Sequence, residues 1–232
     1  MKLLSMKKQY DGTWLHGYEL TYENRAGRKK TFEMVSRNAL NGPSEIGARV
    51  SGVTIVAWKD DRLLLLKEFR MSINRTIYNL CAGMLEEGES VEDCARRELY
   101  EETGLRVARF IDILPPSYSA VGFSDTATWL VFLEAEGNPR TVPAGAAPAD
   151  TACAEPAPAD TACAEPTCAE PACSGSSCGS RLSENEEISA AFYTREQIGE
   201  MLKTETFSSR SQTVAWFFKN GCLPGRGEAG EA

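Results

Sequence analysis

Nowhere does this chain of 232 residues string together the roughly 20 apolar residues that a membrane-crossing helix requires. Positive charge is also in short supply. The formal net charge is -8, against the basic face that a nucleic-acid or anionic-membrane binder needs, so neither partner is expected. The opening MKLLSMKKQY holds lysines but only a token apolar run, far short of the ~7–15-residue core of a signal peptide, which points to the cytoplasm. Paired Cys-x-x-Cys is missing too. Of the eight cysteines, Cys81, Cys94 and Cys222 are scattered, while Cys153, Cys163, Cys168, Cys173 and Cys178 share one segment. Without an export signal, reduced thiols are expected.

That segment, residues 138–180, contains no Leu, Ile, Phe or Met. ADTACAEP at 149–156 returns at 159–166 and decays into TCAEP and ACSGSSCGS. Such a composition buries too little apolar surface to offset its ordering entropy, so a solvated repeat insertion is expected. The alternative is a soft-metal or redox tract, against which the cysteine spacing argues.

The rest of the chain mixes strands and helices without regular alternation, giving an α/β class of the α+β kind. WLHGYELTYE and KKTFEMVSR read as an N-terminal hairpin, followed by the loop NALNGPSEIGA. SGVTIVAW and RLLLLKEF read as a second hairpin with heavily buried strands. IYNLCAG, RVARFIDIL and TATWLVFLEAE read as further strands. Thr194 to Gln197 is a capping box opening a helix to about Lys203, and another helix is expected from about Ser209 to Lys219. The boundaries expected are an N-terminal β subdomain over 1–47, a main domain over 48–137 and 181–222, the insertion over 138–180, and a loose tail over 223–232.

The most informative stretch is GESVEDCARRELYEETG, residues 88–104. Ser90 suits a helix N-cap and Gly104 a C-terminal stop. With Glu98 set at zero and about 100° per residue, Val91 falls at about +20°, Cys94 at about -40°, Ala95 at about +60°, Glu101 at about -60° and Glu102 at about +40°. Arg96, Arg97, Asp93, Tyr100 and Thr103 fall on the other side. Three glutamates thus share the small apolar face that should meet the core. Half-buried together, they require compensation. A hard divalent cation supplies it through oxygen ligands; an ion network with Lys67 or Arg70 is the alternative.

From Gly83 through Glu89, Arg97, Glu98, Leu99, Glu101, Glu102 and Gly104 to Leu105, every fixed position resembles the box of the Nudix hydrolases. The resemblance implies an α/β/α sandwich around a mixed sheet and hydrolysis of a nucleoside diphosphate linked to another group. It makes Glu98 and Glu102 the main metal ligands, with Glu101 a further ligand or an acid behind them, and the Ala82 carbonyl a backbone ligand. Arg97 would orient the glutamates and Glu89 would support the loop. The implied ion is Mg²⁺, with Mn²⁺ the alternative.

The flanks resemble the ADP-ribose pyrophosphatase branch of that family. EFRMSINRTIYNLCAGMLEEGE carries its Arg strand and lead-in, and the hairpin ending FEMVSR resembles a small β-domain exchanged within a homodimer. ENEEI at 184–188 resembles the acidic loop that supplies a base and a metal contact, roles assigned to Glu184 and Glu186 without deciding between them. Arg37, Arg70 and Gly122, the last within SYSAVGFSD, match substrate contacts. Ala120-Val121-Gly122 departs from the branch pattern, which leaves the second sugar open. Trp14 and Trp58 are candidate adenine platforms, Trp58 with core packing as the rival use. The expected reaction is Mg²⁺-dependent cleavage of ADP-ribose or a related nucleotide sugar into a nucleoside monophosphate and a sugar phosphate. Two other readings stand beside it: another Nudix nucleotide diphosphatase, or a silent domain that senses ADP-ribose-like ligands.

Overall fold

The structure, a computed structural model, describes residues 1–140 and 188–223. The insertion from 141 on, the acidic run with Glu184 and Glu186, and the C-terminal tail from 224 lie outside the described residues.

A continuously apolar strand organises the molecule. In β4 (Gly52–Lys59), GVTIVAWK, all but the last residue are buried, as a central strand covered on both faces demands. Lys59 leads through Asp60 and Asp61, both at positive φ, into β5 (Arg62–Arg70). Two consecutive left-handed residues are what a two-residue hairpin turn requires, and Asp tolerates that conformation. β4 and β5 pair only beside this turn, at Trp58–Leu63 and Lys59–Arg62, and then part. The chain from Arg75 to Met84 fills the gap between them. Its first half, β6 (Arg75–Asn79), pairs with β5, and its second, β7 (Cys81–Met84), pairs with β4.

Helix α1 (Val91–Thr103) follows, then β8 (Arg106–Tyr118), β9 (Ala127–Glu136), β10 (Ile188–Tyr193), α2 (Arg195–Thr204) and α3 (Ser209–Lys219). The main sheet runs β10-β5-β4-β9-β8, with the β4–β9 pair parallel and the other pairs antiparallel. Alternation along the strands splits the core in two. Val53, Ile55, Leu64, Leu66 and Val131 pack against Cys94, Ala95 and Leu99 of α1. Val56, Trp58, Leu63, Leu65 and Phe132 pack against Ile198, Val214 and Phe218 of α2 and α3. Helices therefore cover both faces of a mixed sheet, and Trp58 is a core residue, as the packing alternative had it.

The N-terminal sheet has three strands rather than the expected two: β1 (Lys2–Asp11), β2 (His16–Glu23) and β3 (Lys29–Ser36). Register shifts at Leu3/Ser5 and Lys8/Tyr10 break the two-residue period of β1, which hides it in the sequence. Tyr18, Leu20, Met34 and Leu40 form a separate small core here. The sheet meets the main body where the Val35 amide donates to the Phe123 carbonyl at 2.8 Å.

Candidate metal centre

Local signals set α1 in place. The Ser90 hydroxyl accepts from the Asp93 amide at 3.1 Å, capping the first turn, and Gly104 closes the last at φ 75, a left-handed conformation costly for other residues. Thr103 is fully buried, correcting its expected place on the outer face. Its hydroxyl donates to the Leu99 carbonyl and accepts from the Leu105 amide, satisfying groups that the helix end would leave unpaired. Leu99 and Leu105 are fully buried and serve the core rather than the chemistry.

Two glycines then bring the helix against the sheet. A Cβ at Gly83 would stand 1.7 Å from the Glu98 carboxyl carbon, and one at Gly52 would stand 1.9 Å from the Gly83 carbonyl oxygen. Only hydrogen fits at both positions. The stack Gly52–Gly83–Glu98 therefore fixes where this carboxylate lies.

The wheel position of Arg97 is corrected too, while the contact with the glutamates that the resemblance implies is present. The wheel places it away from the glutamates, yet its long side chain turns back among them. Nε and Nη2 donate to the two oxygens of Glu89, each at 2.8 Å, a bidentate pair. Nη1 donates to Glu98 Oε1 at 2.8 Å and to Glu101 Oε2 at 3.2 Å, and Nη2 also reaches the Met84 carbonyl at 2.9 Å. The guanidinium holds the Glu89 carboxyl well below the usual range, at about 2, and Glu89 in turn accepts from the Glu86 amide at 3.0 Å. Neither Lys67 nor Arg70 provides this compensation. Lys67 lies over the Tyr78 ring, and Arg70 pairs with Glu68 at 3.3 Å.

Arg97 leaves part of the acidic face untouched. Glu98 Oε2 and Glu101 Oε1 accept no hydrogen bond from the described residues. Burial raises the Glu98 pKa despite the Arg97 contact. Glu102 accepts from the Ala82 amide at 3.2 Å, and burial, reinforced by the charge of Glu98, lifts its carboxyl to about 8. Among the described residues, no three His, Cys, Asp or Glu side chains converge as a ready ligand cage. Glu98 and Glu101 are bonded to the guanidinium, while Glu102 lies against Cys81 and the Ala82 amide. What fits a hard cation is the donor chemistry: carboxylate oxygens held on one face, with a steep electrostatic cost to their joint ionisation.

Of the remaining expected site residues, two lie at this centre. Ala82 and Gly83 are on β7, directly against Glu102 and Glu98. Arg70 ends β5. Arg37 follows β3 and is exposed, as is Gly122, and the Val35–Phe123 bond brings their two loops together. Neither makes a hydrogen bond with the α1 glutamates. Glu184 and Glu186 lie outside the described residues. Sequence reasoning passed over Glu68 and Asn79, although Glu68 precedes Arg70 by two residues on a strand and so shares its face.

Comparison with known proteins agrees with this geometry. A NUDIX domain model matches residues 48–158. An ADP-ribose pyrophosphatase of Saccharomyces cerevisiae is 28% identical over 134 residues, covering 56% of this chain and 57% of its own length. An ADP-sugar pyrophosphatase of Mus musculus is 29% identical over 128 residues (55% and 58%), and an ADP-ribose pyrophosphatase of Bacillus subtilis is 38% identical over 82 residues (35% and 44%). The chain thus spans about half the length of these curated relatives. A crystal structure of an ADP compounds hydrolase superposes with a TM-score of 0.64 at 17% identity, over 97% of this chain and 95% of the other, which speaks for the fold. Residues 48–158 therefore match a NUDIX domain, and the chain resembles the ADP-ribose pyrophosphatase branch of Nudix proteins.

Proposed function

We propose that the protein hydrolyses the diphosphate of ADP-ribose or a related nucleoside diphosphate sugar, releasing a nucleoside monophosphate and a sugar phosphate. The observation that carries this reading is the α1 acidic face, packed on Gly83 and braced by Arg97. Its oxygen donors suit Mg²⁺, or Mn²⁺ in its place, with Glu98, Glu101, Glu102 and the Ala82 carbonyl as the residues to hold it. When bound, such an ion neutralises diphosphate charge and makes a coordinated water more acidic. The chain's own contribution is positional. Arg97 fixes Glu98 and Glu101 in direction, Glu89 fixes Arg97, and the Ala82 amide fixes Glu102. Arg70 and Arg37 are assigned to substrate oxygens, Gly122 to the sugar side, and Glu184 or Glu186 to the base.

We assign the N-terminal sheet to a homodimer contact. Tyr10 on the edge strand β1 and Trp14 in the turn that follows it are 63% and 78% exposed, adjoining apolar surface that a second copy could cover. The cytoplasm is the proposed compartment; among the described residues no helix is long and apolar enough to cross a membrane. A turnover screen with Mg²⁺ against ADP-ribose, other ADP- and GDP-sugars, NADH and oxidised deoxynucleoside triphosphates tests the reading. Release of AMP and ribose 5-phosphate, lost in chelator, is expected. Inactivity on every nucleotide sugar, with tight ADP-ribose binding, would favour the sensing alternative.

A further inference from the structure

Glu68 is a carboxylate only 8% exposed, set in a strand whose neighbours on the same face, Leu64 and Leu66, belong to the core under α1. Ile77 of β6 and Ile188 of β10 are its partners to either side. A charge so placed is costly unless paired and hydrogen-bonded. Glu68 is both. Oε1 accepts from Asn79 Nδ2 at 2.6 Å, and Oε2 accepts from Arg70 Nη1 at 3.3 Å. Asn79 is itself immobilised, its Oδ1 accepting from Ser208 Oγ at 2.8 Å, Ser211 Oγ at 2.7 Å and the Leu80 amide at 3.0 Å. Ser208 is the N-cap of α3. A continuous chain of hydrogen bonds therefore runs from the start of α3 through Asn79 and Glu68 to the Arg70 guanidinium.

The two ends of this chain differ in character. Asn79, Ser211 and Glu68 are enclosed, whereas the Arg70 side chain is 49% exposed. Residues 68 and 70 share a strand face, the one α1 covers, and Glu68 lies near enough for its charge to be felt at Glu102. An ion pair with one half-exposed partner contributes little to stability, but it can fix a direction. A free arginine at a strand end explores many rotamers. This one is tethered by one nitrogen, and among the described residues its other nitrogens make no hydrogen bond.

We propose that Glu68 is a positioning residue that holds the Arg70 guanidinium, through a carboxylate locked by Asn79, at the rim of the acidic face, where it receives an anionic oxygen of a nucleoside diphosphate. This rests on the reading of the site given above. Glu68 touches neither substrate nor the reacting atoms; it acts through Arg70. The pair is tuned so that a substrate anion, approaching the other nitrogens, meets a cation already aimed at it.

The test is a double-mutant cycle in the full chain with Mg²⁺ and ADP-ribose, reading KM and kcat separately for Glu68→Gln, Arg70→Met and the double variant. Glu68→Gln is expected to raise KM about tenfold with kcat within about threefold, and to add nothing once Arg70→Met is present. Glu68→Asp, which keeps the charge and shortens the reach, should be intermediate, and it carries the test if the Gln variant does not fold. Effects of the two single changes that multiply in the double variant would overturn the proposal, as would a Glu68→Gln loss confined to kcat. Wild-type protein that leaves ADP-ribose intact would overturn the functional reading and this inference with it. Wild-type turnover without Glu68–Arg70 coupling would overturn the inference alone.

Discussion

At the scale of single residues, Glu102 and Glu89 face opposite electrostatic demands, and each makes a prediction of known sign. Burial raises the Glu102 carboxyl to about 8, so in the folded protein it holds its proton above the ordinary carboxylate value of about 4.5. Its contribution to stability is fully present below that ordinary value and is lost as pH rises through about 8. In chelator at pH 8, Glu102→Gln should therefore melt higher than wild type, by an amount that vanishes near pH 4. With saturating Mg²⁺ the same change should lower ADP-ribose turnover by at least ~10³-fold, because an amide is a poor ligand for a hard cation. Turnover within tenfold of wild type would remove Glu102 from the ligand set. Glu89 is the converse case: its depressed carboxyl stabilises above about 4.5, and the gain is lost as pH falls toward about 2. Urea denaturation of wild type and Glu89→Gln should differ by about 2–3 kcal/mol at pH 6, and the gap should close on acidification. A gap constant from pH 6 to pH 3 would mean that the Arg97 contact does not matter energetically.

At the scale of elements, legibility followed regularity. α1 was readable because its cap, its stop and its glutamate spacing all follow the 3.6-residue period. β4 and β5 were readable because both faces of β4 are covered and its run is unbroken. β1 was not, because two register shifts destroy the alternation that would have revealed it. The wheel alone misplaces Arg97, for a different reason. A helical wheel gives the direction of Cβ, while a guanidinium five bonds further on goes where its acceptors are. The Gly83 requirement is a property of packing between elements and no wheel contains it. Gly83→Ala should leave the fold intact, since backbone φ there is ordinary, but must push Glu98 aside. We expect turnover down by at least ~100-fold with thermal stability little changed. Near-normal activity would show that β7 can retreat from the helix.

At the scale of the whole molecule, two modules meet at a narrow seam. The N-terminal sheet has its own small core and touches the main body through β3 and the loop before β9. Removing residues 1–37 should then abolish both dimerisation and ADP-ribose turnover while leaving the main sheet folded. A fully active monomer in light scattering would sink the dimer assignment. The segment Arg75–Met84 has a further consequence. It crosses from β5 to β4 at Leu80, whose amide bonds to Asn79 and Ser211 side chains rather than to a neighbouring strand. It therefore has no independent partner for local opening: releasing it strips one edge of β5, one edge of β4 and the α3 cap at once. In native-state hydrogen exchange, the amides of Tyr78, Leu80 and Ala82 should open only with the global transition and share its denaturant slope. A separate, shallower slope for these three would mean that the strand beneath the carboxylates breathes on its own.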